Sequence, residues 1–303
     1  MVRQAARRLW DDWDRFFFST TSAQAMAGFR VTFAAFLFYY FLYRRWTLFF
    51  FYGPMGIVES GLAYPRHLPL QFSLFAWHWS NTGVAVWPYY ALTLGLIACF
   101  ALGYGTRLAA MGIWVLTASW LNPLAVGLDA ADYMVRIQTF IVMLGALAGC
   151  FSRGARRVEI WPLKLLQLQL MAIYFYSGVY KIAFPEWRAG SALYFVLGDE
   201  LFGRFDFAWL AGFPNLVRAF TYGTLLFELA LFPLLVWVPR LRVFVLVSGV
   251  ALHLGIAATM KVDGFIGVTA MFYLAFLTEG DWAAIVARLA KMRGKFCRAI
   301  LAR

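Results

Sequence analysis

Apolar residues along this chain come in blocks of about twenty, broken by short turns that carry charge, glycine or proline. Blocks of this kind lie at approximately 24–43, 84–103, 108–128, 130–151, 160–183, 216–238, 241–260 and 264–279. A helix rises about 1.5 Å per residue, so about 20 apolar residues cover the roughly 30 Å of a bilayer's hydrocarbon core. The pattern therefore predicts an all-α integral membrane protein, a polytopic bundle of about eight transmembrane helices. Helices are the expected solution because lipid offers no partner for a free backbone N–H or C=O.

The two ends read differently. In MVRQAARRLWDDWDRFFF the apolar stretch is broken by Asp11, Asp12, Asp14 and Arg15, and no small-residue cleavage site follows. It is expected to be an amphipathic interfacial helix leading into the first span, not a cleavable signal. The tail DWAAIVARLAKMRGKFCRAILAR, residues 281–303, alternates apolar and basic positions at helical spacing and predicts a second surface helix. Two connections, 44–83 and 184–215, are longer than a turn requires and rich in Trp, Tyr, Phe, Gly and Pro, which predicts interfacial or re-entrant structure. Without internal repeats or a flexible linker, residues 1–303 read as a single membrane domain with a core at about 24–279 and a basic cytoplasmic tail.

Charge changes the picture in one respect. The net charge of +12 would fit a nucleic-acid partner only if it were clustered, and it is not. With a cytoplasmic N-terminus and eight crossings, sixteen of the 27 Lys and Arg fall on the cytoplasmic side and six on the other. That split obeys the positive-inside rule, placing both termini in the cytoplasm and the chain in the inner (plasma) membrane. The basic charge is thereby assigned to topology and to membrane lipid, with no nucleic acid. Cys99, Cys150 and Cys297 are scattered, without CxxC or zinc spacing, so no metal site is expected.

Ionisable residues inside the blocks are the pointers to function, since each costs roughly 2.5–3.5 kcal/mol at a helix centre. Lys164 and Arg218 stand at block ends, where they can snorkel. Arg30 lies deeper and calls either for snorkelling or for an acidic partner. Asp132 and Arg136 are four apart on one helix face. They can form a self-compensating pair, or Asp132 can hold Arg136 as an anion-binding group. Glu228 sits near the middle of its block and calls for a partner or a proton. His253 is either a packing residue or an acid, base or hydrogen-bond donor. Lys181, in YFYSGVYKIAFPEWRAG, is either a snorkelling helix end or a desolvated base. In the proposed topology Lys181, Asp132, Arg136 and His253 share the outer half of the membrane, which predicts a common cavity beneath the two aromatic connections.

At these residues the chain resembles the vitamin K-dependent γ-carboxylase-like membrane domain, also called the horizontally transferred transmembrane domain. YFYSGVYKIAFPEWRAGSAL resembles its Lys-x(4–5)-Trp-x-x-Gly block, with one extra residue between Lys181 and Trp187. GFRVTFAAFLF resembles its first-span arginine motif, and FYGPMGIV the tight loop that follows. GYGTRLA resembles the turn between spans two and three, LFELALFP carries a span-six glutamate and VALHLG a span-seven histidine. The resemblance covers about residues 10–280 and is nearest to short bacterial members, among them the membrane component of a sporulation-delaying toxin system. It implies a lysine base, here Lys181, that deprotonates a reduced quinone of the menaquinone or vitamin K type. It further implies that the oxygenated quinone takes a γ-proton from glutamate, after which CO2 adds. His253 would be the second catalytic residue, hydrogen-bonding a cofactor oxygen. Asp132, Arg136, Trp187, Glu228 and Arg30 would bind cofactor or substrate, here a secreted peptide or a lipid-phase molecule. Two other expectations stand beside this one: a non-catalytic membrane partner for maturation, export or immunity of a secreted peptide, and a small-molecule transporter.

Overall fold

The computed structural model describes residues 2–52, 74, 86–122, 129–262 and 264–301, with side chains throughout except at 2, 3, 5, 6 and 293–301. Most of the 44–83 connection lies outside the described residues. In chain order the elements are α1 (Val2–Phe18), β1 (Thr20–Ser22), α2 (Ala23–Tyr52), α3 (Val86–Leu102), α4 (Thr106–Leu121), α5 (Ala130–Leu147) and β2 (Arg157–Glu159). They continue with α6 (Trp161–Ile182), α7 (Pro185–Ala189), α8 (Ala192–Leu197), a 3-10 turn (Ala208–Gly212), α9 (Pro214–Leu226) and a π-helical turn (Phe227–Leu231). The chain then forms α10 (Phe232–Leu235), α11 (Pro239–Thr259), α12 (Phe265–Leu274) and α13 (Glu279–Leu301). Each of the eight apolar blocks is helical over most of its described part.

Among the described residues, four helical stretches are long and apolar enough to cross a membrane: α2, α5, the run Pro214–Leu235, and α11. A fifth is added if Phe265–Leu274 and Glu279–Met292 form one bent span. On α11, Val243, Phe244, Val247, Val250 and Leu254 are all exposed. So apolar an outward stripe suits a lipid-facing surface rather than a wet one.

The chain divides into two compact units, residues 1–165 with 274–303, and residues 166–273. In the first, α2, α3, α4 and α5 pack each against the next around Phe29, Phe33, Phe41, Phe100, Trp120 and Phe151. The turn from α3 to α4 needs glycine, because Gly103 and Gly105 adopt φ values of 77° and 51°, where a side chain is strained. The only sheet among the described residues pairs β1 with β2 antiparallel, Thr21 opposite Val158, and so ties the start of α2 to the start of α6. Buried Trp282 brings α13 against α2 at Gly28, where a Cβ would come within 2.6 Å of the indole.

One boundary is corrected. The first span was predicted to end at 43, with Arg44 and Arg45 in a loop, but α2 continues to Tyr52. Arginine is a good helix former, and no Gly or Pro intervenes before Gly53. Acidic partners for Arg44 then remove the reason for it to leave the helix.

In the second unit, α9 widens into the π-helical turn just before Pro233. Proline has no N–H to give, and its ring crowds the carbonyl four residues back, so the helix opens by a residue over Phe227–Leu231. The predicted interfacial segment 184–215 is built from α7, α8 and the 3-10 turn. It is fastened by Tyr222 donating to the Arg188 carbonyl (2.9 Å) and by an antiparallel bridge between Gly203 and Met260.

Candidate functional site

The richest arrangement lies in the second unit, along one face of α6. Tyr174, Ser177, Gly178 and Lys181 recur at intervals of three and four, so they line a single stripe. At its end, Lys181 Nζ donates to Oε1 and Oε2 of Glu228, each at 2.6 Å, and to Ser177 Oγ at 2.7 Å. The ammonium also stands 5.3 Å from the ring centroid of Trp187 on α7, within cation–π range. The Lys181 side chain is 22% exposed and that of Glu228 8%, so the lysine borders the surface while the carboxylate is enclosed.

Two local features make this contact possible. The π-helical turn presents Glu228 toward α6. Gly178 lets the turn approach: a Cβ there would stand 2.7 Å from Leu229 Cγ and 3.3 Å from Glu228 Cβ.

Tyr174 belongs to a second polar group in the same unit. Its hydroxyl lies 2.7 Å from His253 Nε2 on α11 and also hydrogen-bonds the hydroxyl of Tyr273 on α12. Phe227, Phe232 and Phe265 pack around this trio. Among the described residues the other imidazole nitrogen, Nδ1, is buried without a hydrogen-bond partner. An unsatisfied buried nitrogen among aromatic rings is costly, and it suits in kind a flat ligand that offers one oxygen, as a quinone does. Gly249 gives Tyr273 its room, since a Cβ there would fall 2.0 Å from Tyr273 Oη. Gly249→Ala is accordingly expected to push Tyr273 off Tyr174 and to destabilise the protein by about 1–3 kcal/mol in a thermal or denaturant melt. Part of that loss should return in G249A/Y273F, which deletes the clashing oxygen; no recovery would refute the assignment.

Asp132 and Arg136 belong to the first unit, and neither expected relation between them is found. Asp132, 2% exposed, accepts from Tyr40 Oη and pairs with Arg44 Nη2 at 2.8 Å. It also closes a capping box with Asp129, accepting the Asp129 N–H at 3.0 Å while Asp129 accepts that of Asp132 at 3.1 Å. Arg44 bonds Asp129 as well. Arg136 turns instead to Asn122 Oδ1, at 2.6 Å, and to the face of Tyr133. The correction has a simple cause. Asp132 sits in the first turn of α5, where it is drawn to the helix's free N–H groups and to a cation on the neighbouring α2.

Arg30, also in the first unit, is 7% exposed and donates Nη1 to the Phe151 carbonyl at 2.9 Å. Among the described residues it forms no ion pair, so the expected acidic partner is not what holds it.

Sequence spacing missed Tyr40, Arg44, Ser177 and Tyr273. The stripe Tyr174–Ser177–Lys181 was legible as a polar line on an apolar helix, and Tyr40–Arg44 has the same four-residue spacing. Tyr273 gave no such signal. No family model, curated protein or solved structure matches this chain. The family resemblance therefore rests on the quoted motifs.

Proposed function

We propose that this chain is a multi-pass enzyme of the inner membrane, carboxylase-like in its chemistry, with Lys181 and Glu228 as the proton-handling pair. The observation that carries the proposal is the contact of Lys181 Nζ with both oxygens of the enclosed Glu228 at 2.6 Å. An ammonium cannot accept a proton. Paired with a carboxylate in weakly polar surroundings, however, it can hand its proton across and become an amine while the net charge of the pair stays zero. Lys181 can then take a proton from a bound hydroxyl, while Glu228 stores the first. Ser177 fixes the amine, and Trp187 stabilises the cationic form through its ring.

A reduced quinone of the menaquinone or vitamin K type, when bound, supplies the oxygen-dependent chemistry that prepares a substrate for CO2. His253 Nδ1 is the group to hold a quinone oxygen, with Tyr174 fixing the imbalance between the two ring nitrogens through its own bond to Nε2. In this proposal all eight blocks cross the membrane, both termini are cytoplasmic and the substrate is a secreted peptide or a lipid-phase molecule. Its support is the motif order together with the 16-to-6 division of basic charge. Asp132 and Arg136 have no part in the proton transfer; their partners make them organisers of the first unit.

The test is direct. In reconstituted vesicles given reduced menaquinone, O2 and labelled CO2, wild type should consume the quinol and fix label into co-expressed secreted peptide. Lys181→Ala should lower quinol consumption by at least about a thousandfold, in line with loss of a base. Full quinol turnover by Lys181→Ala would remove Lys181 as the base, and no quinol turnover by wild type would remove the enzyme assignment and leave the non-catalytic maturation partner.

A further inference from the structure

We infer that the first unit holds a binding site for a phosphate-type oxyanion, built by Arg30, Arg107 and Arg153 at the turns α3–α4 and α5–β2. Arg30 and Arg153 meet at Gly103, Arg107 reaches the neighbouring turn at Gly149, and among the described residues none of the three is paired with an acid. Arg30 Nη1 reaches the Phe151 carbonyl and passes close to Gly103, whose Cβ would lie 2.9 Å from it. The aliphatic stem of Arg153 crosses the same glycine, 2.8 Å from that Cβ position, and its guanidinium rests over Tyr104. Arg107, in the first turn of α4, reaches toward Gly149 at the start of the second turn, 3.6 Å from where a Cβ would stand; Ser152 Oγ flanks it at the same distance. Gly103 and Gly149 have positive φ and no side chain, which lets Arg30, Arg153 and Arg107 approach the backbone of the two turns.

What demands a ligand is the charge balance. Arg30 is more than nine-tenths buried, and among the described residues its Nε has no hydrogen-bond partner. A buried guanidinium satisfied by one carbonyl is uncompensated, and two more arginines beside it raise the cost. None of the three forms an ion pair among the described residues. The N-terminus of α4 adds to the same field: Gly105 caps it without any side-chain acceptor, so its first N–H groups and dipole favour an anion. Planar forks on two sides, a hydroxyl and free amides make the donor set that recognises a tetrahedral phosphate. The topology proposed from sequence places both turns on the cytoplasmic side, where anionic phospholipid headgroups and free phosphate are both at hand. This site is independent of the Lys181 chemistry and stands or falls separately.

The experiment compares wild type with Arg107→Gln/Arg153→Gln, which leaves buried Arg30 in place, and with Arg240→Gln/Arg242→Gln as a charge-matched control on α11. Delipidated protein is returned to uncharged micelles containing phosphatidylglycerol or phosphatidylcholine, and retained lipid is counted by native mass spectrometry. In parallel, inorganic phosphate is titrated against chloride at equal ionic strength while the melting midpoint is followed. Wild type and the control should favour phosphatidylglycerol, or respond to phosphate, at about tenfold lower concentration than the Arg107/Arg153 variant. A response to the lipid names a headgroup as the source, and a response to phosphate alone names the free anion. No response in either arm, or the same loss in both double variants, overturns the site.

Discussion

Lys181→Met is expected to cost the folded protein about 3 kcal/mol, at the lower end of the range for breaking a buried ion pair, and to abolish the proposed quinol turnover. The penalty comes from Glu228, which is left enclosed with a charge and no cation. It is bounded above by the roughly 3.7 kcal/mol needed to protonate an ordinary glutamate at pH 7. Glu228→Leu should cost less, because Lys181 borders the surface and its flexible stem can carry the ammonium to water. The double variant K181M/E228L should recover most of the stability of K181M, since apolar side chains replace both charges, yet none of the activity. Denaturant melts of the four proteins in one detergent decide the matter. Additive penalties, or a Glu228 variant worse than the Lys181 variant, would mean that the pair is not the unit described.

The second large effect concerns Asp132. Asp132→Ala is expected to destabilise by about 3 kcal/mol, because it strips the buried Tyr40 phenol of its acceptor, Arg44 of one carboxylate and the Asp129 N–H of its cap. Asp129→Ala, at an exposed position, should cost less, about 1–2 kcal/mol, from the cap and one solvent-screened ion pair with Arg44. Double-mutant cycles separate the two candidate partners of Asp132. Coupling with Arg44 should be substantial, whereas coupling with Arg136 should fall within the roughly 0.5 kcal/mol of independent sites, because Arg136 is held by Asn122. Strong coupling to Arg136 would restore the intrahelical pair that the spacing first offered.

These variants probe contacts that spacing could not reveal. A four-residue interval fixes only that two side chains share a helix face. Asp132 and Arg136 do share one, but a stronger offer comes from the neighbouring helix, through Arg44 and Tyr40. The same limit hid the partner of Lys181. Glu228 stands 47 residues away, and its orientation depends on a π-helical turn imposed by Pro233, whose presence was visible but whose consequence was not. Gly178 and Gly249 are ordinary apolar-helix glycines in sequence, and only the approach of Glu228 and Tyr273 gives them a task.

By itself the sequence determined where the helices run, because blocks of about twenty apolar residues leave the backbone no other way to satisfy its hydrogen bonds. It determined that both ends are amphipathic helices, and it marked Arg30, Asp132, Lys181, Glu228 and His253 as charges or polar groups that must be compensated. The tertiary structure alone decided how. Compensation depends on the rotation of each helix about its axis and on which neighbour it meets, and neither is encoded in local spacing. That is why Lys181 found Glu228, His253 found Tyr174, Asp132 found Arg44, and Arg30 found the Phe151 carbonyl beside Arg153 at Gly103.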